Sequence, residues 1–183
     1  VNEFTPQNKL LQTILILPLF VLPLVSGLSF RYLFDAESGV IASLFFNFGL
    51  EAPDFLGSHW GSFAIVVAQD VWRMWPFMFI IILAGLKNIP KDQMEAIKLD
   101  GASFWQQSIH VTLPALRNTI LVAVALKVIE SFKAFTEIFV MTGGGPGDST
   151  TILPIFIVKQ MTEFRDFSYG SAASYILLFA SLG

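Results

Sequence analysis

The sequence predicts an all-α fold: a polytopic membrane helical bundle with about four transmembrane helices. Its composition, its long apolar runs and the charge bias of its loops carry that prediction. Of 183 residues, 54% are apolar and only 14% charged, against about 45–50% and about 25% in soluble chains. The mean hydropathy of +0.66 agrees. There is one domain, residues 1–183, with room for about four crossings of a hydrocarbon core about 30 Å thick.

The first crossing is placed at residues 10–31, of which residues 10–30 carry no charge. At about 1.5 Å per residue the run is long enough to span. Pro18 and Pro23 predict a bent helix, because each removes a backbone donor and neighbouring elements must serve the freed carbonyls. The run has neither a basic leading region nor a small-residue cleavage site, so it is not read as a signal peptide. Residues 38–48 form a short helix, with Val40, Leu44 and Phe48 on one face. It either rests at the headgroups or serves as a binding element.

Further crossings are placed at residues 61–86, 118–141 and 168–183. Residues 153–163 make an amphipathic piece between the last two. The run from Ser168 to Leu182 amounts to about 22 Å of helix, short of a full span. The sequence therefore reads as part of a longer membrane protein.

Loop charges set the sidedness. The stretch from Asp35 to Asp54 holds four acids (Asp35, Glu37, Glu51, Asp54) and no Lys or Arg; residues 87–117 hold Lys87, Lys91, Lys98 and Arg117. Basic short loops stay cytoplasmic. Residues 87–117 are thus placed inside, and Gly-rich residues 142–151 outside.

Within residues 87–117, Pro90 opens a helix where its missing N–H costs nothing. Asp92 and Glu95 sit near the positive end of its dipole. The helix runs to about Leu99 and stops at Gly101, which tolerates a left-handed backbone. Ser103 and Gln106 then read as a capping box opening a second helix, which Leu113 before Pro114 closes. Two short helices joined at a tight bend, with Met94, Ile97 and Phe104 as apolar anchors, suit the groove of a soluble partner. The plain alternative is a connecting loop lying on the bilayer surface.

The spans carry charges. Asp70 and Arg73 lie in the second; Lys127, Glu130 and Lys133 lie in the third, with Glu137 further out. Ionisable groups at membrane depth usually face a bundle interior or an aqueous cavity. Asp70, Lys127 and Glu130 are candidates to line a solute path, with Arg73 a weaker one. Alternatively, Asp70 neutralises Arg73, and Glu130 one of the lysines. Trp72, Trp75, Phe77, Phe132 and Phe135 have rings on which a sugar face could stack or which serve as packing. For residues 143–147 the alternatives are a flexible turn stiffened by Pro146 and a docking surface.

Several function classes are excluded. No Cys means no disulfide, thiolate metal site or Cys nucleophile, and the two histidines, His59 and His110, lack ligand-spaced partners, so no metal is assigned. A net charge of −3 gives no nucleic-acid signal. No Gly-x-x-x-x-Gly-Lys-Ser/Thr phosphate loop is present, so the chain has no ATPase site of that kind.

Glu95, Ala96, Ile97, three residues, Gly101, nine residues, then Val111, Thr112, Leu113 and Pro114 resemble the EAA loop of binding-protein-dependent ABC importer permeases. The family pattern has Ala where Ile97 stands and Ile where Val111 stands. Residues 31–35 with Gly39 and Val40, residues 72–76, residues 84–90 and residues 142–146 also resemble the carbohydrate-type (maltose and glycerol-phosphate) permeases. The resemblance implies a type I ABC importer permease core, here its third through sixth spans, multi-pass in the cell inner membrane. It implies import of a carbohydrate or related polyol delivered by an extracytoplasmic solute-binding protein. The chain would be no enzyme: a cytoplasmic ABC ATPase dimer would bind the ATP and Mg, and a second, usually different, permease subunit would complete the path. By the same resemblance Glu95, Ala96, Asp100, Gly101 and Pro114 belong to the ATPase-coupling loop. Solute-contacting positions fall on Asp70, Met74, Phe77, Glu130 and Ser131. The competing reading is half of a secondary transporter driven by an ion gradient, which buried carboxylates and broken helices also suit.

Overall fold

The structure, a computed structural model, describes residues 9–99 and 101–182, without the side chains of residues 9–12, 91, 96 and 98. Among these residues every regular element is helical: α1 Lys9–Ile16, a 3-10 turn Leu17–Phe20, α2 Pro23–Leu33, α3 Val40–Asn47, α4 His59–Lys87, α5 Lys91–Leu99, α6 Phe104–Gln107, a π-helical stretch Ser108–Thr112, α7 Leu113–Lys133, α8 Thr136–Thr142, α9 Leu153–Thr162 and α10 Phe167–Leu182. Among the described residues two helices are long and apolar enough to cross a membrane, His59–Lys87 and Phe104–Lys133, and Thr13–Phe20 with Pro23–Leu33 make a third if the broken pair is one span.

Three helical expectations are corrected. The run at residues 10–31 is not one bent helix. It breaks at Val21 and Leu22, with Pro18 in the 3-10 turn and Pro23 opening α2. Two prolines five positions apart prevent one continuous ladder. The helix opened by Ser103 does not close at Pro114. A π stretch widens the turn ahead of the ring, Leu113 N–H reaches Ser108 O, and the helix runs on to Lys133. That wider turn relieves the clash a proline ring makes with the carbonyl four residues back. Finally, no single helix covers residues 118–141. The chain leaves helix at Ala134 and Phe135, and α8 restarts with Glu137 in its first turn, where a carboxylate suits the dipole.

The chain divides into two compact units. Residues 9–20 and 74–128 make one, residues 21–73 and 129–182 the other. The first unit contains the end of α4, α5, α6 and most of α7, and buries Met74, Ile89, Leu116 and Ala123. The second contains α2, α3, the beginning of α4, and α8 to α10, around Ile138, Met141, Ile155, Ile157 and Ala173. In the second unit α2 and α8 approach at Gly27. A Cβ there would lie 2.7 Å from the backbone oxygen of Glu137, so only glycine lets the two backbones come this close.

Candidate coupling loop, solute path and outer platform

The bend between α5 and α6 is fixed by local chemistry. Gly101 takes φ +72°, with nothing within 4 Å of where a Cβ would stand. Backbone conformation, rather than space, calls for glycine there. Ala102 N–H reaches back to Ile97 O at 3.3 Å, closing α5 as a Schellman turn. Ser103 N–H donates to Gln106 Oε1 at 2.8 Å, and Gln106 N–H to Ser103 Oγ at 3.4 Å, completing the capping box. Gln107 Nε2 donates to Ala102 O at 2.8 Å. Four hydrogen bonds thus set the angle between two short helices.

The anchors at this bend differ in part from those the sequence suggested. Met94 and Ile97 are half-buried, while Leu99, Phe104 and Trp105 are 88%, 58% and 72% exposed. Phe104 and Trp105 stand edge to face, with centroids 6.0 Å apart. Glu95 is exposed as well. Asp100 and the side chain of Ala96 lie outside the described residues. Pro114 is exposed just past the π stretch. The exposure of Leu99 and Trp105 was missed because neither belongs to the motif; large apolar groups on both sides of a glycine in a polar loop were the available signal.

The candidate path residues divide between the units. Asp70, Glu130 and Ser131 belong to the second, and Met74, Phe77 and Lys127 to the first. Asp70, Met74 and Phe77 fall at i, i+4 and i+7 on α4; Lys127, Glu130 and Ser131 fall at i, i+3 and i+4 on α7. Each helix therefore carries its three candidates along one face. Asp70, Phe77 and Lys127 are half-buried, Glu130 and Ser131 exposed, and Met74 packed at 6% exposure.

Arg73 is paired elsewhere than with Asp70. Its Nη2 lies 3.1 Å from Glu137 Oε1, and both side chains are nearly covered. Above this pair in α4, Gln69 is fully buried, and its Nε2 donates to Ser26 Oγ at 2.8 Å. Arg31 Nη1 donates to Val140 O at 2.9 Å. Gln69 and this role of Glu137 were not foreseen. For Gln69 the signal was its spacing from Arg73, one turn away on the same face of α4; for Glu137 spacing offered none.

The Gly-rich segment is bonded rather than loose. α8 ends at Gly143, and Thr142 Oγ1 and Thr150 Oγ1 are 2.6 Å apart. Ser149 Oγ meets Ser62 Oγ of α4 at 3.0 Å, and Lys159 Nζ of α9 meets Asp148 Oδ1 at 3.0 Å. The bonds from Lys159 and then Thr151 hold the Asp148 carboxyl below its ordinary range. Asp35, capping the turn before α3, is likewise held low, first by the Ser38 backbone N–H. Separately, a groove of about 320 Å³ in the second unit is lined by Phe132, Lys133, Pro154, Ser174, Leu177 and Ser181.

Residues 8–183 match the family described as binding-protein-dependent transport system inner membrane component. The chain belongs to that family. This inner membrane component is 32% identical over 175 residues to the trehalose/maltose transport system permease protein MalF of Thermococcus litoralis, covering 96% of this chain and 59% of that one. It is 36% identical over 164 residues to the sulfoquinovosyl glycerol transport system permease protein SmoG of Agrobacterium fabrum, covering 89% and 53%. It spans a little over half the length of these curated relatives. Its fold is that of a chain in the crystal structure of a bacterial ABC transporter involved in the import of the acidic polysaccharide alginate, with TM-score 0.83, 23% identity, and coverage of 98% of this chain and 66% of that one.

Proposed function

We propose that the chain is the core part of a permease subunit in an ATP-driven ABC importer for a carbohydrate or related polyol. It crosses the inner membrane several times. A solute-binding protein delivers the solute at the outer face, and a cytoplasmic ABC ATPase dimer, binding ATP and Mg, docks on residues 87–117. A second permease subunit completes the path. The bend at Gly101 carries this reading: it is closed by four hydrogen bonds and leaves the apolar side chains of Leu99 and Trp105 largely exposed. A rigid elbow with an uncovered apolar edge fits the groove of a soluble partner and passes that partner's movement on to α4 and α7, the helices it joins.

Family membership and similarity to sugar-system permeases support the carbohydrate assignment. The rows on α4 and α7 carry the groups such a path needs: Asp70, Glu130 and Ser131 offer hydrogen-bonding groups for hydroxyls, Lys127 a cation, and Phe77 a ring for an apolar sugar face. Met74, on the same face of α4 as Asp70 and Phe77, is buried. Energy comes from the ATPase, because this chain has no phosphate loop of its own.

The test is uptake by the complete importer in proteoliposomes with a Gly101→Val subunit. A β-branched side chain resists the left-handed backbone there. The expected result is lost uptake with the subunit still in the membrane. Wild-type uptake by the variant would refute the elbow's role.

A further inference from the structure

The ion pair of Arg73 and Glu137 is costly for what it contributes to stability. Both charges are taken from water, and the pair leaves Arg73 Nε and Gln69 Oε1 buried with no hydrogen-bond partner among the described residues. Apolar side chains of similar size would hold the same two helices at least as well. A buried pair has one advantage over apolar contact: it fixes a single position.

What it fixes is α8. This short helix starts one residue before Glu137, is contacted at Val140 O by Arg31, and presses its backbone on Gly27. It ends at Gly143, where the segment tied by Thr142 with Thr150, Ser62 with Ser149 and Lys159 with Asp148 begins. α4 therefore holds this platform at two heights, through Arg73 below and Ser62 above.

We propose that Arg73 and Glu137 are positioning residues: through α8 they set residues 142–151 in the one arrangement that receives the solute-loaded binding protein. This rests on the importer reading above. A pair that only stabilised would be replaceable by apolar groups without functional loss, whereas a pair that positions would not.

The experiment uses the complete importer in proteoliposomes, with its own solute-loaded binding protein titrated against ATPase rate. The variants are Glu137→Gln and the double variant Arg73→Met with Glu137→Leu, which leaves no orphaned charge if the single variant assembles poorly. The expected result for the double variant is normal assembly and basal ATPase, with half-maximal stimulation needing about fivefold or more binding protein, the low end of coupling between sites. An unchanged half-point in an assembled double variant overturns the proposal and leaves the importer reading standing. If loaded binding protein fails to stimulate even the wild type, that reading fails and the proposal with it.

Discussion

Arg73 and Glu137, 64 positions apart in sequence, meet at 3.1 Å with side chains 11% and 6% exposed. The contact ties the middle of α4 to the first turn of α8. Removing one partner would leave the other charge buried and unpaired, a loss of about 3–5 kcal/mol. Glu137→Ala should therefore lower the thermal unfolding midpoint of the purified full-length subunit by several degrees. An unchanged midpoint would mean that the pair is hydrated in the membrane.

Close approach at Gly27 makes a second prediction about the same helix. A methyl group there meets the backbone of Glu137 at 2.7 Å, and backbone cannot swing aside. Gly27→Ala should cost about 1–3 kcal/mol by overpacking, although alanine is the better helix former. Thermal unfolding measures it; an unchanged midpoint would show that the backbones of α2 and α8 can part to admit a methyl group.

The Asp148 carboxyl is held below its ordinary value of 3.8 by its bonds to Lys159 and Thr151. A depressed carboxyl contributes stability that is complete above its unfolded value and is lost as pH falls through its lower folded value. Hydrogen exchange of residues 142–151 should be slow at neutral pH and accelerate only below about pH 4. Asp148→Asn should be fast at both, because the ion pair is gone. Equal protection in the variant would show that Ser62 and the threonines hold the segment alone.

Solute contact predicts a different signature. Asp70→Asn and Glu130→Gln each remove a charged hydrogen-bonding group from the proposed path, a change worth about 1.5–3 kcal/mol per bond. The solute concentration giving half-maximal uptake should rise about tenfold or more in each. Wild-type affinity and turnover in both would remove these residues from the path.

The helices were legible where local chemistry decides them. Ser103, Gln106 and Gly101 specify the bend without help from the rest of the chain, and α5 and the capping box stand where those residues put them. The sequence does not mark the break at Ala134 and Phe135, because no proline or glycine stands between residues 115 and 142 and Glu137 finds its partner only in the folded unit. Pro114 misled for a related reason. Proline normally ends a helix, but the π stretch ahead of it absorbs the clash, and no residue pattern announces a π stretch. The division of labour between Arg73 and Asp70 was likewise set by α8, which sequence spacing along α4 cannot report.

The most direct measurement concerns the exposed edge of the elbow. Residues 1–183 hold no cysteine, so in an importer whose other cysteines are replaced, Leu99→Cys or Trp105→Cys supplies a single reactive thiol. A short crosslinker should join each of these positions to the ATPase subunit, with a yield that changes on ATP binding, while Phe46→Cys in α3 should never be joined to it. Labelling of the Leu99→Cys and Trp105→Cys thiols by an impermeant reagent from outside intact cells, with no crosslink to the ATPase, would contradict the account.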